Sequence, residues 1–167
     1  MDTRVADQLR LRGGHLDFIG RSHIWIDDYD RADSVRFAQF ALANALAHTA
    51  PGQLEVLVFD DALRGIAAPF QEVNSGGEKI LRHINDVQEL NETIKYLHDH
   101  VRSVLNVIQG RTESLLDFRQ QLSPKVEGFK LVVLSTIYDL LSDEIKDKLT
   151  VLLKAGPAAG VTFLIHS

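Results

Sequence analysis

Apolar residues along the chain follow two rhythms. Four short, nearly unbroken runs read as strands buried on both faces: His23–Ile26, Leu54–Phe59, Phe129–Leu134 and Val161–Ile165. Between them the spacing changes to three and four. In Asp86–Gln109 the residues Val87, Leu90, Ile94, Leu97, Val101, Val104, Leu105 and Ile108 fall on one helical face. A helix running to about His48 carries Val35, Phe37, Ala38, Ala41, Leu42, Ala45 and Leu46 on a wide stripe, with Asp33 or Ser34 as its cap and Pro51-Gly52 beyond its end. A short helix over Thr112–Gln121 follows Gly110, and another, capped by Ser142 or Asp143, runs to Ala155 before Gly156-Pro157. The passage from Ala62 to about Asn85 shows neither rhythm and reads as irregular.

Strands alternating with helices predict an α/β protein with a mainly parallel sheet and right-handed crossovers. The chain has 167 residues, enough for one domain with a real core. Residues 1–20 mix charges and glycines and read as a lead-in with one short strand at His15–Ile19, leaving 21–167 as the domain. Ending on a buried-type strand, the sequence reads as a piece of a longer protein.

Composition narrows the function classes. A net charge of −5 gives no whole-surface argument for nucleic acid, although a local basic patch would still allow it. The absence of cysteine excludes disulfides, thiolate metal sites and thiol nucleophiles. No apolar run approaches the roughly 18–20 residues of a membrane span, and the first residues lack the apolar core of a signal peptide. The expectation is a cytoplasmic protein.

The stretch His23–Phe40 carries the candidate chemistry. Strand, turn and helix is the layout that presents free helix N–H groups to phosphate. Here the turn holds Asp27, Asp28, Asp30 and Asp33 and no glycine, so the backbone cannot curl round a phosphate and the carboxylates would repel one. A hard cation could take such oxygens, but the glycine and trailing glutamate of an EF-hand loop are missing, and a solvated turn with a helix cap is the simpler account. Arg31 within it is expected to pair with a carboxylate. His98 and His100 are two apart on a helix and point to different sides, which argues against joint metal ligation. Asn74-Ser75-Gly76-Gly77-Glu78-Lys79 ends in lysine but lacks the preceding strand of a phosphate loop. No G-x-S-x-G elbow is present, and Ser135 at a strand end has no identifiable base. Lys79, Arg82, Lys95, Arg102, Arg111 and Arg119 are scattered without aromatic interleaving, which supports DNA contact only weakly.

From about Phe18 onward the order of pieces resembles the FtsK/SpoIIIE motor ATPases, within the P-loop class that includes HerA-like translocases. His23-Ile24-Trp25-Ile26 and the helix to His48 match the family's first strand and helix, followed by Thr49-Ala50-Pro51-Gly52; the next strand ends in the acid Asp60, and Ala155-Gly156-Pro157-Ala158-Ala159-Gly160 leads into Val161–Ile165 as the family's last turn and strand do. The resemblance implies a three-layer sandwich of the RecA/ASCE type, with strands 54–59, 129–134, 161–165 and 23–26 in that order from the edge inward. It also marks departures. Asp28, Tyr29, Asp30, Arg31, Ala32, Asp33 and Ser34 occupy the Walker A position without its glycines, and Ser34 stands where the phosphate-binding lysine should be. Ser135 and Thr136 occupy the Walker B position in place of its acidic pair, Pro157 replaces a frequently basic position, and His166 falls where Ala-Thr-Gln would begin. Phosphoryl transfer depends on positioning and charge neutralisation, and none of these residues neutralises triphosphate.

The resemblance, so modified, implies a catalytically inactive ATPase module, with no catalytic residue, cofactor or metal. It would act as a scaffold, assembly or regulatory domain of a DNA-translocating protein in segregation, conjugation or restriction. Its partners would be other domains or subunits of the same assembly, including further copies in an oligomer, with DNA as a further candidate partner and no membrane. A second implication is a protein- or peptide-binding module like the degenerate ATPase domains of type VII secretion motors. A divergent metal enzyme built on the aspartate turn ranks last.

Overall fold

A computed structural model describes residues 16–49, 52–74, 80–121 and 128–167. Its elements, in chain order, are β1 (Ile24–Ile26), α1 (Arg31–His48), β2 (Leu54–Asp60), a 3-10 segment (Ala68–Asn74), β3 (Leu81–His83), α2 (Val87–Ile108), α3 (Leu115–Gln121), β4 (Phe129–Ser135), a 3-10 turn (Tyr138–Leu140), α4 (Asp143–Ala155), a 3-10 turn (Pro157–Ala159) and β5 (Val161–His166). The strands form one sheet in the order β1-β5-β4-β2-β3, every pair parallel. The chain crosses from β1 to β2 in one direction along the sheet, and from β3 to β4 and β4 to β5 in the other. Right-handed crossovers therefore put α1 on one face and α2 and α4 on the opposite face. Three layers result.

The four strands read from the longer apolar runs are all present. Every residue of β4 and β5 is buried, as central parallel strands covered on both faces require. The predicted order of four strands holds, with two corrections. β2 is not an edge, because Leu81–His83 pairs outside it, Val56 opposite Leu81; and β1 forms the other border among the described residues. Three residues with only Leu81 buried are too short to produce a visible alternation. The short strand expected at His15–Ile19 is not formed by residues 16–19, and His15 lies outside the described residues. Leu16 and Phe18 are nevertheless buried in the core, and Asn44 of α1 donates to the Leu16 carbonyl at 2.7 Å.

Helix boundaries follow their caps. The Asp86 side chain accepts from Glu89 N at 2.8 Å, and Glu89 accepts from Asn85 N at 2.9 Å, so α2 starts within one residue of its predicted position. Its buried residues Leu90, Ile94, Leu97, Val101, Val104 and Ile108 are the stripe read from spacing. Ser142 caps α4 by accepting from Ile145 N. The cap of α1 is Asp30, not Asp33 or Ser34: its carboxylate accepts from Asp33 N at 3.1 Å and the helix begins at Arg31. The short helix predicted from Thr112 starts at Leu115. Gly160 takes a left-handed φ of 79° at the entry to β5, and a Cβ there would lie 2.6 Å from Leu115 Cδ2.

His23 ties the border strand into this frame. Its Nδ1 accepts from Phe163 N at 2.9 Å while Nε2 lies 2.7 Å from the Leu153 carbonyl, which fixes a neutral ring with the proton on Nε2. Burial holds its pKa below the ordinary histidine value, against the opposing effect of the bond to Leu153.

Candidate functional site

In open parallel sheets, ligands bind beyond the carboxyl ends of the strands. At that end β1 runs into Asp27-Asp28, β2 ends at Asp60, β4 at Ser135-Thr136 and β5 at His166-Ser167, with the start of α1 beside them. Backbone bonds close the ends together: Asp28 N donates to the Ser167 carbonyl at 2.8 Å, and Thr136 N to the His166 carbonyl at 3.2 Å.

The centre of this region is occupied by a side chain that the sequence reading passed over. Arg64, in the turn after β2, is 4% exposed at its side chain. Its Nε donates to Asp28 Oδ2 at 3.1 Å, and its Nη1 lies 2.8 Å from the His166 carbonyl, 3.3 Å from Ser135 Oγ and 3.5 Å from the Thr136 carbonyl. The turn that delivers it is built by Asp60, whose two carboxylate oxygens accept from Arg64 N and Gly65 N at 2.9 and 2.8 Å. Leu63 in this turn has a φ of 54°, an uncommon conformation for a branched residue.

Around the guanidinium lies a chain of polar groups. Ser34 Oγ donates to Asp28 Oδ1 at 3.0 Å, and His166 Nε2 is 2.9 Å from Ser34 Oγ and 3.4 Å from Asp28 Oδ1. His166 is fully buried, and its Nδ1 has no hydrogen-bond partner among the described residues. Burial and then the Arg64 charge depress its pKa, against the opposing pull of Asp28 and Asp60, which favours the neutral ring. One proton assignment fits all the distances: Nε2–H donates to Ser34 Oγ, whose hydroxyl donates to Asp28, leaving Nδ1 as a lone pair. A serine whose proton is committed to a carboxylate, next to an imidazole acting as donor, is not a nucleophile–base pair. The acid also sits at the same ring nitrogen as the serine, unlike a catalytic triad. Burial tends to raise the pKa of Asp28, but the bonds from Arg64 and Ser34 and the charges of Arg64 and His166 outweigh it, so the carboxyl lies below its ordinary value.

The residues singled out in sequence divide accordingly. Asp28, Ser34, Ser135 and Thr136 meet around Arg64. Asp30 turns back to cap α1, and Tyr29, 99% exposed, points to solvent; Ala32 and Asp33 are exposed in the first turn. Arg31 does not pair with a carboxylate among the described residues, contrary to expectation. It bridges two turns by donating to the carbonyls of Ala62 and Leu63 at 3.2 and 3.4 Å. The aspartates thus diverge, and among the described residues no group of three or more potential ligands is gathered for a metal. His98 faces the Lys148 carbonyl, whereas His100 stacks on Tyr96. The glycine-rich segment 75–79, with Lys79, lies outside the described residues. Arg82 pairs with Glu55, and Arg119 lies over the Phe129 ring and donates to Gln53, so these two cations serve local packing. Among the described residues no helix is long and apolar enough to cross a membrane.

A parallel sheet of this order, with a helix starting directly after β1 at the polar end, is the architecture of P-loop ATPase domains. Three solved structures of such domains share it. ATPases 2 and 3 of EssC from Geobacillus thermodenitrificans align with a TM-score of 0.64 and 14% identity over 87% of this chain and 28% of theirs. The pCW3 conjugation coupling protein TcpA, in its monomer form with ATPγS, aligns with a TM-score of 0.65 and 17% identity over 87% of this chain and 42% of its own. ATPases 2 and 3 of Thermomonospora curvata EccC, in complex with a signal sequence peptide, give a TM-score of 0.64 and 14% identity over 90% of this chain and 26% of theirs. At these identities the likeness establishes the fold alone, and the chain spans less than half of each of these proteins. No family model matches the sequence, and no curated protein matches it.

Proposed function

We propose that this chain is a nucleotide-free, ATPase-like module of a larger cytoplasmic motor assembly, serving as a scaffold or assembly surface rather than as an engine. The observation that carries the reading is Arg64. Its guanidinium and the Asp28 carboxylate fill the junction of strand ends and helix start where P-loop proteins cradle phosphate. One N–H of the helix start is taken by the Asp30 carboxylate, and the lysine expected in a Walker A loop is replaced by a buried serine. Admitting a triphosphate would require breaking the Arg64 cluster and desolvating carboxylates beside an anion. The test is a thermal-shift titration with ATP·Mg²⁺. The expected result is an unchanged melting temperature at millimolar nucleotide, and a rise of several degrees would overturn the reading.

Within this reading a protein partner is favoured over DNA. The EccC structure similar to this chain holds a signal sequence peptide. The turns at the carboxyl end of the sheet are acidic and carry exposed apolar side chains, Leu140 and Leu63 among them. Retention on duplex DNA that declines with salt would argue for the DNA-translocase role instead.

A further inference from the structure

Beside the Arg64 cluster, at the same end of the sheet, lies a pit of about 260 Å³. Val87, Ile137, Leu140, Leu141 and Ile145 form its apolar walls, and Asp61 stands in its lining. Three of those walls open to solvent: Leu140 is 78% exposed, Ile137 53% and Val87 48%. Leu63, 83% exposed and held outward by its left-handed backbone, stands two residues from Asp61. Leaving so much large apolar surface in water is unfavourable unless something covers it.

The charges near the pit indicate what that is. Its lining contains one acid and no cation. Asp86 precedes Val87, Asp139 lies between Tyr138 and Leu140, and Asp143 and Glu144 follow Ser142. Lys146 and Lys148 answer Asp143 and Glu144 at 3.5 and 3.0 Å. Arg31 is engaged by the carbonyls of Ala62 and Leu63, and Arg64 is committed to its buried cluster. Asp61 and Asp139 have no ion-pair partner among the described residues. Arg31 keeps its charge nearby, but the acids Asp86, Asp139, Asp143 and Glu144 near the pit, with Asp61 in its lining, outnumber the cations Arg31, Lys146 and Lys148. Such an apolar pit complements a segment with the opposite pattern and repels a polyanion.

We infer that this pit is a docking site for a short basic segment of a partner protein. One large apolar side chain of that segment enters between Ile137 and Leu140, and flanking lysine or arginine residues meet Asp61 and Asp139. The inference rests on the module reading only for the expectation of a protein partner.

The test is to pan a displayed library of random dodecapeptides on the full chain. Enriched peptides are expected to place leucine, methionine or phenylalanine within a few residues of lysine or arginine. A synthetic member should bind at low salt and weaken as salt rises to about 0.5 M. Its affinity should fall about tenfold or more in Ile137→Ser/Leu140→Ser and again in Asp61→Asn/Asp139→Asn, as loss of an apolar anchor and of its charged rim predicts. These side chains are exposed, and far-UV spectra with urea midpoints check that each variant folds. No enrichment, enrichment of acidic peptides, binding insensitive to both pairs of substitutions, or capture of duplex DNA at this face in place of peptide would each overturn the proposal. Stabilisation by ATP together with selection of basic peptides would overturn the module reading and support the docking site.

Discussion

Arg64 is the residue on which most of the polar end depends. Its guanidinium donates to a carboxylate, a hydroxyl and a backbone carbonyl in a largely buried space, where Ser34 and Thr136 N supply the other donors. Removing one member of a buried pair strands the other, which costs more than the pair itself contributes. Arg64→Met is therefore expected to lower stability by about 3 kcal/mol in urea unfolding. Adding Asp28→Asn to it should recover part of that loss, giving a double-mutant cycle that is clearly non-additive. The histidines give a second expectation. His23 and His166 both have folded-state pKa values depressed below about 6.5, so below that pH the unfolded chain binds protons that the folded chain refuses. Their contribution is present at neutral pH and is lost as pH falls below about 6.5 and on through the folded values. Asp28, depressed below the ordinary carboxylate value, adds a further loss at lower pH. Urea midpoints measured from pH 7 to pH 5 should fall, with a slope of up to about 1.4 kcal/mol per pH unit for each histidine, and His23→Gln should flatten it.

At the scale of elements, α2 owes its place to one stripe. Leu97 lies in the middle of it, and Leu97→Ala should cost about 2–5 kcal/mol, read from the urea midpoint, because the surrounding core cannot close fully over the cavity. The same stripe explains why α2 was legible: residues three and four apart share a face, and the pattern needs no knowledge of the partner. The four longer apolar runs were legible for the equivalent reason at period two or none. Elements defined by distant contacts were not. β3 is three residues long and exists because Val56 N can donate to the Ile80 carbonyl, a pairing that leaves no mark in local spacing. The start of α1 was misplaced because Asp30, Asp33 and Ser34 are all competent caps; Ser34 is drawn inward by Asp28 and by His166, 132 residues away. Arg64 sits in a passage without periodicity, and its main acceptor, the His166 carbonyl, is 102 residues along the chain. Local spacing therefore could not bring Arg64 forward, because the groups it meets are set by the fold.

Across the whole molecule, one continuous core joins both faces of the sheet, from Leu42 of α1 through Val133 of β4 to Leu149 of α4. Unfolding is expected to be a single cooperative transition. Trp25, the one tryptophan, lies on border strand β1 with its ring edge-on to Tyr138 at 5.0 Å, so its fluorescence reports the periphery. Fluorescence and far-UV circular dichroism should give coincident midpoints, and an earlier change in fluorescence would show that β1 detaches first. The two border strands, Ile24–Ile26 and Leu81–His83, have a consequence for how this domain meets others. Stubs of this length expose only a few unpaired backbone groups, too few to template the lengthening of the sheet by a passing chain. Among the described residues, the two flanks therefore act as natural stops against ribbon-like self-association and leave recognition to the chemistry of side chains.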